Sequence, residues 1–153
     1  MAIRNIVKMG DSVLRKKSKP VEVFDEKLWQ LLDDMKQTLN RVQGLGLSAV
    51  QVGVLKQVVI VEYEEQFLEI INPKILATSG KCYDNEGCLS VEGFRGIVER
   101  PETIDFEYFD RHGKKKTFHA EGYFARVFFH EFDHLDGILF CDKMIRRVNN
   151  RGE

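Results

Sequence analysis

The chain has 153 residues, of which 43% are hydrophobic and 31% are charged, and its formal net charge is -1. This length and composition predict one globular domain, residues 1–153, and the near-zero charge excludes general attraction to nucleic acid or anionic membranes. No apolar run has membrane-spanning length, charges interrupt the first residues too early for a secretory leader, and three cysteines suit a reducing compartment. We therefore expect a cytoplasmic protein.

Hydrophobic periodicity predicts two helices separated by strands. Apolar residues recur at helical spacing over 25–42, and Gly44 follows as a stop signal. A second helix, over 121–135, has a wide apolar surface and is expected to be buried. The predicted strands are 57–63, 67–71, 103–109 and 115–119. This order predicts an α+β domain in which antiparallel strands wrap around the second helix.

The second helix contains the pattern His-Glu-x-x-His at residues 130–134. Residues four apart lie on one face of an α-helix, so His130 and His134 are spaced to bind one metal ion. Glu131 lies on a neighbouring face, where its carboxylate can accept a proton from water at that metal. The pattern predicts a metal-dependent hydrolase.

A catalytic metal usually has three protein ligands and one open position. Cys88 is the best candidate for the third, because Gly87 beside it allows close approach of the chain to a ligand. The other two cysteines, Cys82 and Cys141, are expected to be small apolar residues of the interior. His112 and His119 lie in turn-like and strand-end positions and are expected at the surface.

Three separated motifs resemble those of the peptide deformylase family. Gly44–Gln51 is similar to the first, Glu86–Ser90 matches the second and His130–Gly137 matches the third. The resemblance implies the peptide deformylase fold and removal of the N-formyl group from new bacterial proteins. Three departures are modest, and none is a residue expected to touch the metal. They are Ser48 and Val50, where the family most often has alanine and proline, and Phe129, which replaces a glutamine.

The resemblance also implies the role of each site residue. Cys88, His130 and His134 would bind the metal, and Glu131 would act as general base and then as general acid. The side-chain amide of Gln51 and the backbone N–H of Leu89 would stabilise the oxyanion.

The implied substrate is a formyl-methionyl nascent peptide, lying as an added strand along Gly44, Leu45 and Gly46. Its methionine side chain would enter an apolar pocket near Leu45 and the second helix. Arg95 is a candidate for contact with the peptide backbone, with a surface arginine as the competing interpretation. Asp133 is expected either to orient a metal ligand or to face solvent.

Two histidines and a cysteine suit zinc or ferrous iron equally well. The resemblance favours Fe(II), with Zn, Ni or Co able to occupy the same site. A ferrous site with a thiolate ligand is expected to be oxygen-sensitive.

Two alternative functions share parts of this pattern. A metallopeptidase also uses His-Glu-x-x-His, although its third ligand is usually histidine or glutamate. A catalytically silent relative would act by binding, for instance through transient ribosome contact by the basic stretch 143–147. Retention of Cys88, Glu131 and Gln51 favours a deformylase over both.

Overall fold

The computed structural model describes residues 2–149, and within them the strands form two antiparallel sheets. The helices are α1 (Glu26–Val42) and α2 (Gly122–Leu135). The strands are β1 (Gly46–Ser48), β2 (Val58–Tyr63), β3 (Gln66–Ser79), β4 (Cys82–Cys88), β5 (Val91–Arg100), β6 (Thr103–Phe109), β7 (Lys115–Glu121) and β8 (Met144–Asn149). One sheet has the order β1-β2-β3-β6-β7, and the other has the order β4-β5-β8. The predicted α+β fold is confirmed.

Helix α1 begins and ends close to the predicted bounds. The carboxylate of Asp25 accepts a hydrogen bond from the backbone N–H of Leu28, so Asp25 caps the helix instead of forming its first turn. At the other end Gln43 takes the left-handed conformation, with φ of 54°. The last helical residue is Val42, as predicted, but the left-handed residue that ends the helix is Gln43 and not Gly44.

Strand β2 lies between β1 and β3 in the five-stranded sheet and is buried on both faces. Val58 and Ile60 pack on α1, while Val59 and Val61 pack on α2, and all four side chains are fully buried. Alternation along the strand explains the two faces. Burial of each such side chain contributes about 1.5–3 kcal/mol, so this sandwich holds β1, the neighbour of β2, in place.

Helix α2 has two buried faces with different chemistry. Phe128 and Phe132 pack on the five-stranded sheet around Phe106, with ring centroids 4.8 and 5.1 Å from that ring. The other face carries Arg126 and His130, one helical turn apart, toward the three-stranded sheet. The apolar face fixes the helix, and the polar face is thereby presented to β4 and β5.

Sequence periodicity located β6 at its observed bounds but gave an incomplete sheet. The predicted strand 67–71 is too short, because β3 continues to Ser79, and β1, β4, β5 and β8 were not predicted. Strands β4 and β5 contain charged residues and glycines that break the alternation of apolar residues. The basic stretch 143–147 falls largely in β8, which pairs with β5. No helix of the described residues is long and apolar enough to span a membrane.

Candidate metal centre

Three side chains with metal-binding atoms meet where β4 ends against α2. They are Cys88, the last residue of β4, and His130 and His134 of α2, and their ligand atoms all lie within 4.8 Å of one another. The Cys88 Sγ is 3.3 Å from the His134 Nε2. The structure thus brings together the three residues that the sequence singled out as ligands.

The surroundings of the two imidazoles fit a metal ion. The Nδ1 of His130 donates to Glu86 Oε1 over 2.9 Å, which leaves the Nε2 lone pair free for a metal. The Nδ1 of His134 is buried and has no hydrogen-bond partner among the described residues. One thiolate and two imidazoles are donors that divalent zinc and iron accept. The residues present therefore fit the expected group.

Glu86 is the centre of a buried ionic network behind His130. Arg100 donates two hydrogen bonds to its carboxylate, both of 2.9 Å, and Arg126 donates a third of 2.6 Å. Burial opposes ionisation of Glu86, but the hydrogen bonds from Arg100 and His130 outweigh it and hold the pKa of the carboxyl far below its usual range. Glu86 is thus a charged acceptor that orients the His130 ring.

Sequence reasoning quoted Glu86 only as part of a motif and missed both arginines. Arg126 offered a signal, because a charged residue within the apolar run of α2, four residues before His130, must find a buried partner. Arg100 had no such signal, since it lies at the end of a charged strand. Asp133 does not contact a ligand: it accepts from Arg100 over 2.6 Å, and so reaches His130 only through Arg100 and Glu86.

The remaining candidates divide between interior and surface. Cys82 and Cys141 were expected in the interior. Both are half-buried, so neither is as deeply buried as predicted. His112 and His119 are exposed, as predicted, and the His119 ring lies between Asp105 and Glu121.

Glu131 lies beside the ligands, almost completely buried. It is 4% exposed, and its Oε1 has no hydrogen-bond partner in the described part of the chain. Burial raises the pKa of Glu131 to about 7 in the protein without metal. An unpaired, buried carboxyl that exchanges its proton near neutral pH is suited to general acid-base chemistry.

A cavity of about 300 Å³ opens over these groups. Its wall includes the residues that were expected to bind substrate, which are Gly44, Leu45, Gly46 and Arg95. Leu89 and Gln51 also line it, and Tyr123 and Val127 supply its wall from α2. Cys88, His130, Glu131 and the residues expected to bind substrate therefore share one space.

Gln51 is buried, and both ends of its side-chain amide are held. The Oε1 accepts from the backbone N–H of Ser48 over 3.0 Å, while the Nε2 donates to the Ser90 hydroxyl over 3.1 Å. The same Nε2 lies 3.6 Å from the Cys88 Sγ. The donor end of the amide consequently faces the ligand cluster. The departures at Ser48, Val50 and Phe129 are all buried.

Gly46 lies against the Glu131 side chain, so we expect Gly46→Ala to lower kcat by about tenfold to 100-fold. An added Cβ would lie 2.9 Å from both the Cγ and the Oε2 of Glu131, which would have to move. Steady-state kinetics on metal-loaded protein measures the effect. Gly113→Ala is the control, because it strains a backbone with φ of +81° far from the cavity. Equal loss of kcat in both variants would contradict the prediction.

A buried carboxylate, a cysteine and a histidine that line one cavity, with a second histidine in contact with the cysteine, define a metal-dependent hydrolase. Comparison with known sequences identifies which kind. The family model described as polypeptide deformylase matches residues 3–150. The chain belongs to the polypeptide deformylase family.

Individual relatives agree with the family match. The peptide deformylase of Caldicellulosiruptor bescii is 51% identical over 149 residues, which cover 97% of this chain and 90% of the relative. The crystal structure of peptide deformylase from Thermotoga maritima superposes with a TM-score of 0.93 at 37% identity, covering 95% of this chain and all of that one. A Met-Ala-Ser-bound class I type b peptide deformylase from Acinetobacter baumannii gives 0.90 at 34% identity, covering 94% and 99%.

Proposed function

We propose that this enzyme hydrolyses the N-formyl group of formylmethionine at the start of newly synthesised proteins and releases formate. The observation that carries this proposal is the cluster of Cys88, His130 and His134 beside a cavity that Cys88, His130 and Glu131 line, in a chain of the deformylase family. Residues 1–153 act as a single catalytic domain, and the site of action is the cytoplasm.

Cys88, His130 and His134 hold one divalent metal, Fe(II) by family resemblance, with Zn, Ni or Co able to replace it. When bound, the metal supplies Lewis acidity, which polarises the formyl oxygen and lowers the pKa of water. The charged Glu86 keeps the proton of His130 on Nδ1, so that Nε2 stays available as a ligand atom.

Glu131 accepts a proton from the attacking water and returns it to the leaving amine nitrogen. Its burial in the wall of the cavity, beside the ligand cluster, supports this role. The Gln51 Nε2 and the Leu89 backbone N–H donate to the oxyanion that develops at the formyl carbon. Support for Gln51 comes from the contacts that aim its amide nitrogen at the ligand cluster.

The peptide binds as an added strand at the free edge of β1. That strand is at the end of the described five-stranded sheet, with only β2 as its neighbour. The methionine side chain enters the cavity beside Leu45, Tyr123 and Val127. Arg95, at the rim, contacts the peptide backbone. The Met-Ala-Ser complex of the Acinetobacter baumannii relative supports this choice of substrate.

Formate release from formyl-Met-Ala-Ser by anaerobically purified, metal-loaded protein tests the proposal. We expect release that stops when the metal is stripped and resumes when Fe(II) is restored. Release of methionine from an unformylated peptide would favour a metallopeptidase, and absence of both products would favour a silent binding protein. Protein that contained only zinc and kept full activity in air would overturn the assignment of iron.

Transient ribosome contact through the basic residues Lys143, Arg146 and Arg147 is a further part of the proposal. Truncation is a poor test, since β8 pairs with β5 and its removal would expose a sheet edge. Charge reversal at Arg146, which is exposed, tests the contact by co-sedimentation with ribosomes. Unchanged co-sedimentation would remove this role.

A further inference from the structure

Three consecutive residues near the N-terminus connect the two loops that carry the proposed oxyanion donors. The backbone N–H of Val7 donates to the Gln51 carbonyl over 2.7 Å, and that of Met9 donates to the Ser90 carbonyl over 2.7 Å. Between them, the Lys8 Nζ donates to the Leu89 carbonyl over 3.1 Å. We call residues 7–9 the N-terminal strap.

The strap completes a closed set of contacts around the two donors. Gln51 and Ser90, which it binds through their carbonyls, are also joined to each other by the bond from the Gln51 Nε2 to the Ser90 hydroxyl. Both side chains are 1% exposed. Movement of either loop would therefore break contacts with the strap and with the other loop.

Lys8 acts on the residue whose N–H is one of the proposed donors. The Leu89 carbonyl and the Leu89 N–H lie in the two peptide planes that meet at the Leu89 Cα. A hydrogen bond to the carbonyl fixes the second of these planes and so limits the orientations open to residue 89. Oxyanion stabilisation depends on donors that are already aimed before charge develops. The strap holds the backbone of Gln51, Leu89 and Ser90 in this way from outside the cavity.

The ion pair of Lys8 does not explain this placement. Its Nζ lies 2.8 Å from Glu92 Oε1, but the two side chains are 50% and 74% exposed. Pairs of this kind contribute little to stability in water. The bond to the Leu89 carbonyl is also exposed to solvent, but it is the contact that reaches the site.

We propose that Lys8 is a positioning residue for the oxyanion donors, an inference that rests on the proposed deformylase function. Lys8→Met keeps the aliphatic chain but removes the donor. We expect it to lower kcat about tenfold, less than the 100- to 1,000-fold that loss of a whole donor costs, and to change KM by less than about twofold. Lys8→Arg retains a cationic donor and is expected to recover at least half of the wild-type kcat.

The test uses the full metal-loaded chain, with formyl-Met-Ala-Ser as substrate. The second readout is backbone hydrogen exchange at Met9, whose N–H donates to the Ser90 carbonyl. Exchange is expected to be faster in Lys8→Met than in wild type. Glu92→Gln removes only the ion pair, and Lys17→Met removes an exposed lysine elsewhere in the N-terminal region. Both controls are expected to behave as wild type in kcat and exchange.

Unchanged kcat and unchanged exchange in Lys8→Met would overturn the proposal, as would failure of Lys8→Arg to restore either. An equal loss in Glu92→Gln would assign the effect to the ion pair and also overturn it. Absence of formate release by the wild type would instead overturn the proposed function. The exchange comparison would still decide whether Lys8 holds the strap against residues 89 and 90, so the two failures are distinguishable.

Discussion

Replacement of Glu131 with glutamine is expected to lower kcat for formate release by about 100- to 10,000-fold. Glutamine has the same shape but cannot accept and return a proton. The Glu131 carboxylate is not one of the three clustered ligands, so the metal content of the variant should equal that of wild type. Steady-state assays of formate release measure kcat, and metal analysis of the same samples measures the metal content.

Loss of folding would not explain this result. Burial already disfavours the charged carboxylate, whose Oε1 has no partner in the described residues, so its replacement should not destabilise the metal-free protein at pH 8. Asp136→Asn is a matched control, because Asp136 follows the same helix but is exposed. A Glu131→Gln variant with more than a tenth of wild-type kcat would contradict the assigned role.

Replacement of Glu86 with glutamine is expected to destabilise the protein by about 3–5 kcal/mol. The substitution removes one buried negative charge from between Arg100 and Arg126, and both guanidinium groups stay buried without it. It also weakens the acceptor of the His130 Nδ1 proton, so metal affinity should fall. Urea unfolding and metal titration measure the two effects.

The stability that Glu86→Gln loses relative to wild type depends on pH. The pKa of Glu86 lies below its ordinary value of 4.5, so its stabilising contribution is present above that pH and is lost as the pH falls. The difference in stability between wild type and Glu86→Gln should therefore narrow in acid. Glu99→Gln, which affects an exposed pair on β5, should cost less than about 1 kcal/mol. A similar loss of unfolding free energy in Glu86→Gln and Glu99→Gln would contradict the stabilising role of the network around Glu86.

Predictions from the sequence succeeded where one local pattern was sufficient. The spacing of His130 and His134 on one helix face follows from the period of the α-helix, and strand β6 follows from unbroken alternation. Strand β4 could not be found in this way, because its one buried residue is the charged Glu86 and its other residues do not alternate between core and solvent. A pattern of apolar and polar residues predicts an element only when each of its faces lies either in an apolar core or in water.

Residue chemistry and helical spacing were enough to predict a metal-binding hydrolase, and the three motifs were enough to predict its family. Long-range contacts supplied the rest. They place Cys88 against α2, set Arg100 and Arg126 around Glu86, and bring the N-terminal strap to Leu89. Such contacts join residues far apart in the chain, and their partners are selected by the packing of sheets and helices. No spacing along the sequence records that packing, and it therefore became visible only in the folded chain.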